Sequence, residues 1–145
     1  MTDSIKVVCT SCDVVNKLPS DKLTAGGRCG QCKKKLFAGK YVTLKASNAQ
    51  RHFEQNDLPV VIDCWAGWCG PCRSFAPTFD QAIKKLEPKA RFAKLDTEHE
   101  QRLAARFNIR SIPTLLVMKN GKELARQAGV MNLSQFEQWL KPYIS

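Results

Sequence analysis

At 145 residues, 43% of them hydrophobic and 25% charged, the chain has room for one ordinary domain plus a small appendage, and it is too apolar to be wholly disordered. No apolar run approaches the ~20 residues needed to span a bilayer, and the first residues lack the apolar core of a secretory signal. The net charge of +10 is concentrated at the front: residues 1–45 hold nine Lys/Arg and three Asp/Glu, residues 46–145 fourteen and ten. A solvated basic surface accounts for this, and the charge alone calls for no nucleic-acid partner.

Residues 1–40 read as a separate module. Cys9-Thr10-Ser11-Cys12 and Cys29-Gly30-Gln31-Cys32 are two C-x-x-C pairs sixteen residues apart, the spacing at which four thiolates hold one structural zinc ion in a ribbon. Gly26, Gly27 and Gly30 ease the turns such a site requires. The apolar inventory is thin (Ile5, Val7, Val8, Val14, Val15, Leu18, Leu23, Leu36 and Phe37), and a piece of this size rarely folds without a metal or disulfide staple. Bound zinc contributes about 10–16 kcal/mol in such modules, more than this core could. Two local disulfides, or a redox switch, are the alternatives.

Residues 41–145 read as a second domain. A short strand is predicted over 41–45, then a helix to about Gln55 with Ser47 as its N-cap and His52 on its surface. The apolar stretch 59–65 predicts a buried strand, followed by a helix in which Phe75, Phe79, Ala82, Ile83 and Leu86 recur at helical spacing; Pro77 should bend it. A strand over 91–96 follows, then Thr97-Glu98-His99-Glu100, which has the form of a capping box opening a helix. Two strands flank Asn120-Gly121, a two-residue hairpin signal, and a last helix over about 133–142 starts from Asn132. The order βαβαββα predicts an α/β domain: a mixed central sheet with helices on both faces.

Between the buried strand and the helix after it stands Trp68-Cys69-Gly70-Pro71-Cys72. Free backbone N–H groups and the helix dipole favour a thiolate at a helix start, and the thiolate is the nucleophile. A C-x-x-C pair beside a βαβ pattern is a redox motif in a cytosolic chain. Cys69 is expected to be exposed, with Cys72 a turn further in. Asp63, a lone acid in an apolar strand, should have a raised pKa.

The stretch from Val61 to Arg73 resembles the active-site segment of the thioredoxin family. Ala93-Lys94-Leu95-Asp96, Ile109-Arg110-Ser111-Ile112-Pro113-Thr114, Lys119-Asn120-Gly121-Lys122 and Gly129 follow in that family's order. With its four-cysteine extension the chain is similar to the thioredoxin 2 type. The resemblance implies a thioredoxin fold and a protein-disulfide reductase working through a Cys69–Cys72 disulfide. It implies Asp63 as acceptor of the Cys72 proton, with Lys94 tuning it. Trp68, Gly70, Pro71, Ile112, Pro113 (as a cis-proline) and Gly129 would form the docking surface for substrate, with Trp65 packed beneath. It further implies recharging by an NADPH-dependent thioredoxin reductase, clients that carry disulfides, a cytoplasmic monomer, and roles in electron transport and oxidative stress. Cys64 stands where the family usually has an aromatic residue; it reads as a small buried hydrophobe, with a third redox thiol as the alternative. A different class of function, a zinc-ribbon module binding protein or nucleic acid, has only Lys33-Lys34-Lys35 in its favour, without interleaved aromatic residues.

Overall fold

A computed structural model describes residues 3–144. The N-terminal module opens with an antiparallel hairpin, β1 (Ser4–Val8) and β2 (Val15–Pro19), followed by a single 3-10 turn at Ser20–Lys22. The larger domain begins at β3 (Val42–Thr43) and continues through α1 (Ala49–Gln55), β4 (Val60–Trp65), α2 (Gly70–Leu86), β5 (Arg91–Asp96), α3 (Gln101–Arg106), β6 (Thr114–Lys119), β7 (Lys122–Ala128) and α4 (Leu133–Ile144). Its five strands lie in the order β3-β5-β4-β6-β7, parallel from β3 through β5 to β4 and antiparallel beyond. This is the expected mixed α/β sheet.

Both faces of the three central strands are buried, which is why β4 and β6 read as nearly continuous apolar runs; β5 is buried too but carries Arg91 and Lys94 among its apolar residues. On one face Ile62, Cys64, Leu95 and Leu116 pack with Phe53 of α1 and Leu103 of α3. On the other, Val61, Phe92 and Val117 meet α2 and α4. Four phenylalanines knit that second layer: Phe75 lies 5.3 Å from Phe136, and Phe79 lies 5.6 Å from Phe92 and 6.0 Å from Phe136. Ring pairs of this kind contribute ~0.5–1.5 kcal/mol each beyond their burial.

The local signals hold in several places. Asn120 and Gly121 both take positive φ, as a tight β6–β7 hairpin demands. Asn132 Oδ1 accepts from the Gln135 amide at 2.8 Å while Gln135 Oε1 accepts from the Asn132 amide at 3.0 Å, a reciprocal cap on α4. The helix α2 runs on through Pro77 to Leu86.

Three expectations need correction. Ser47 does not cap α1: Asn48 precedes the first helical residue, and its Oδ1 accepts from the Lys45 amide at 2.7 Å, closing the turn before the helix. Thr97 to Glu100 form no capping box. Asp96 Oδ1 instead accepts from the amides of Glu98 and His99, Thr97 Oγ1 donates to the Trp65 carbonyl, and α3 begins only at Gln101. His52 is not on the surface but fully buried, because the N-terminal module covers that side of α1; its Nε2 lies 2.7 Å from Asp13 Oδ1. Burial pushes the His52 pKa down and Asp13 pulls against it.

Candidate functional site

Cys69 is the N-cap residue of α2, with Pro71 in the first turn, where a missing N–H costs nothing. Its Sγ accepts from the Cys72 amide at 3.2 Å, so the helix start directs an N–H at this sulfur. The same geometry brings the two residues to a Cα–Cα distance of 5.2 Å, and they are joined as a disulfide. The loop before them is tied down by Arg73, whose Nη1 donates to the Gly67 carbonyl at 2.7 Å. The expected contrast in exposure is not found in this oxidised form: Cys69 is 4% and Cys72 3% exposed. Trp68, which is 70% exposed, and the segment before β6 flank the pair.

That segment carries the Ile112–Pro113 peptide, which is cis. The Ile112 carbonyl oxygen lies 3.8 Å from Cys69 Sγ, and the Pro113 carbonyl accepts from the Gly129 amide at 2.9 Å. Gly129 has φ +96°, a conformation open to glycine. The structure thus joins Cys69, Ile112, Pro113 and Gly129 in one chain of contacts, with exposed Gly70 and Pro71 opening α2 beside them. Val130, exposed and adjacent to Gly129, adds apolar surface that the sequence reading did not single out.

Asp63 lies in β4, buried among apolar neighbours, and its Oδ1 has no hydrogen-bond partner. Burial pushes its carboxyl up to about 6; Lys94 opposes the shift and Asp80 adds to it. Asp63 and Lys94 are register partners across the β4–β5 ladder but form no ion pair. Cys64, the next residue, is fully buried in the sheet's α1/α3 layer, and burial pushes its thiol well above the ordinary value. That is the behaviour of a core residue, not of a reactive thiol.

The four remaining cysteines come together at the other end of the molecule, each pair on the same device. Cys9 N donates to the Val14 carbonyl and Asp13 N to the Cys9 carbonyl; Cys29 N donates to the Lys34 carbonyl and Lys33 N to the Cys29 carbonyl. Asp13 and Lys33, the residues after each pair, take positive φ, which turns each loop back on itself. All four Sγ atoms lie within 4.8 Å of one another, with Cys9–Cys32 at 3.7 Å and Cys12–Cys29 at 3.6 Å. Sulfurs at the corners of a tetrahedron around zinc, at about 2.3 Å from it, stand about 3.8 Å apart, so the donor set fits that ion. None of the four is in a disulfide, and the close approaches run between the knuckles rather than within them. Asn16 braces the second knuckle: its Oδ1 accepts from Gly30 N at 2.9 Å and its Nδ2 lies 3.5 Å from Cys29 Sγ.

Arg91 locks this cluster to the sheet. It opens β5, is fully buried, and donates to the carbonyls of Val8 at 3.0 Å and Leu36 at 2.8 Å, with its guanidinium 4.6 Å from the centre of the Phe37 ring. Asn56 Oδ1 accepts from Val8 N at 2.7 Å, and Glu87 Oε1 from Gly39 N at 2.9 Å. Neither Arg91 nor Asn56 stood out in the sequence; the one available signal was a charge in an apolar strand.

Comparison with known proteins agrees with both halves. A thioredoxin family model matches residues 40–142, and a model described as the N-terminal zinc ribbon of thioredoxin 2 matches residues 8–34. Thioredoxin C-3 of Corynebacterium nephridii is 44% identical over 134 residues, which cover 92% of each chain. The thioredoxin of Porphyra purpurea is 41% identical over 90 residues, covering 62% of this chain and 84% of that one. The thioredoxin of Haemophilus influenzae is 37% identical over 89 residues, covering 61% and 83%. A helix-capping C-x-x-C disulfide on a mixed sheet, with a second four-cysteine cluster ahead of it, therefore has its relatives: the chain belongs to the thioredoxin family and is a thiol–disulfide oxidoreductase.

Proposed function

We propose that the chain reduces protein disulfides in two steps. The Cys69 thiolate attacks one sulfur of a client disulfide; that S–S bond breaks, the other client sulfur leaves as a thiolate, and a Cys69–client mixed disulfide forms. Cys72 then gives its proton to Asp63, directly or through a water, and attacks the Cys69 sulfur. The client departs with two thiols, and the two electrons it gained are those lost in closing Cys69–Cys72. An NADPH-dependent thioredoxin reductase returns them.

The observation that carries this reading is the disulfide on the first turn of α2, combined with a buried, unpartnered carboxyl at Asp63. A carboxyl with a pKa near 6 is charged at neutral pH yet basic enough to take a thiol proton in passing. Trp68, Gly70, Pro71, Ile112, Pro113 and Gly129 present the surface on which an extended client segment docks, and Lys94 biases Asp63 by its charge. Cys9, Cys12, Cys29 and Cys32 hold one zinc ion, which supplies structural cross-linking to a ribbon over 1–40, while the redox domain spans 41–145. We place the protein in the cytoplasm, as a monomer; four cysteines kept as zinc-binding thiolates and a fifth, Cys64, outside any disulfide fit a reducing compartment. There it carries electrons to disulfide-bearing clients, including those made under oxidative stress.

Insulin reduction by dithiothreitol tests this. The parent chain accelerates precipitation of the insulin B chain, and Cys69→Ser abolishes the acceleration; a Cys69→Ser chain as active as the parent refutes the assignment.

A further inference from the structure

Lys94 sits where a charge is costly. It is 9% exposed, and its Nζ makes no hydrogen bond or ion pair among the described residues. Its surroundings are aromatic instead: Nζ lies 4.7 Å from the centre of the Tyr41 ring and 5.7 Å from those of Trp65 and Phe79. Ring faces attract an ammonium through their quadrupole, most strongly where water is scarce. Trp65, half-buried, ends β4, and Phe79 of α2 is fully buried in the core. Tyr41 is different. It stands between the zinc-ribbon module and β3, is 37% exposed, and lines a solvent-open pocket with Asp80 and Lys84.

We propose that Tyr41 is a positioning residue for the redox reaction: its ring holds the Lys94 ammonium inside the fold, across the β4–β5 ladder from Asp63, and so fixes the charge that the Asp63 carboxyl feels. The proposal rests on the reading of Asp63 as the acceptor of the Cys72 proton. A lysine stem without such an anchor extends its head into water, where solvent screens its field. The charged groups acting on the Asp63 carboxyl are Lys94 from β5 and Asp80 from α2; Cys64 follows Asp63 on β4 with its side chain in the opposite layer, and the Tyr41 pocket adds Lys40 before β3 and Lys84 from α2. Among them Asp80 disfavours the Asp63 charge and Lys94 favours it. Releasing Lys94 therefore leaves burial and Asp80 less opposed.

The test uses the full zinc-loaded chain in its oxidised form, with the Asp63 carboxyl carbon followed by NMR through a pH titration. Tyr41→Leu, which keeps an apolar wall, raises the Asp63 midpoint by about half a unit or more, roughly a threefold change in its protonation equilibrium. Tyr41→Phe keeps the ring and leaves the midpoint in place. An unchanged or lowered midpoint in Tyr41→Leu overturns the proposal. In a Lys94→Met background the Tyr41→Leu change has no effect on the midpoint if Tyr41 acts through Lys94; a shift of the same size there means the ring merely excludes water, and also overturns it. The pH profile of mixed-disulfide resolution separates this from the parent reading. If the midpoint moves and the profile does not follow, Tyr41 positions Lys94 but Asp63 is not the acceptor.

Discussion

Replacing Asp63 with Asn should make the oxidised protein more stable at neutral pH, and by an amount set by the burial of the carboxyl. Its pKa is raised by desolvation to about 6, some two units above the ordinary aspartate value. One unit corresponds to ~1.4 kcal/mol, so holding the charged form in the fold costs about 3 kcal/mol above pH 7. The sign follows from linkage. Because the folded pKa lies above the unfolded one, the folded protein binds the proton more tightly, and that stabilisation is complete below about pH 4 and lost as the pH rises through 6. The neutral amide of Asn has no such dependence. Urea unfolding of the two oxidised chains between pH 3.5 and 8 should therefore give a difference that grows by up to ~1.4 kcal/mol per unit between about pH 4 and 6, then levels off. The same substitution should slow resolution of the mixed disulfide. A stability difference that is flat with pH, or a less stable Asn variant at pH 7, would refute the claim that Asp63 is a desolvated, unpaired carboxyl.

Two further outcomes concern the ribbon. Arg91→Leu removes the donors to the Val8 and Leu36 carbonyls and should cost about 2–5 kcal/mol, with faster amide exchange at the ribbon edge than in β4 and β6; equal exchange would show that the clamp is not what docks the module. Chelating the metal, or substituting Cys29→Ser, should release one zinc per chain and open residues 9–36 to proteolysis while the five-stranded sheet stays folded. Metal analysis beside limited proteolysis decides this, and a ribbon that stays protected without metal contradicts it.

How much was legible in the sequence depended on the range of the interaction. Asn132 before an apolar-periodic run, Asn120-Gly121 between strands, and the C-x-x-C pairs all act over a few residues, and each is where it was expected. His52 was misread because its partner, Asp13, lies 39 residues earlier on a knuckle whose docking no periodicity reveals. Arg91 looked like the first residue of a strand; its acceptors are 55 and 83 residues away. At the redox site the cysteines and Asp63 were readable as types in a pattern, and Lys94 through the family resemblance. The burial of Cys69 to nearly the level of Cys72 was not, since the Ile112 carbonyl that lies against its sulfur comes from 43 residues further on. Tyr41 went unremarked for the same reason: its ring matters only once β5 brings Lys94 beneath it.

The most direct check is to trap the intermediate. A Cys72→Ser chain incubated with an oxidised client protein should accumulate a one-to-one covalent adduct that dithiothreitol dissolves and peptide mapping assigns to Cys69. An adduct through Cys64 or a ribbon cysteine, or no adduct while client reduction continues, would contradict the account.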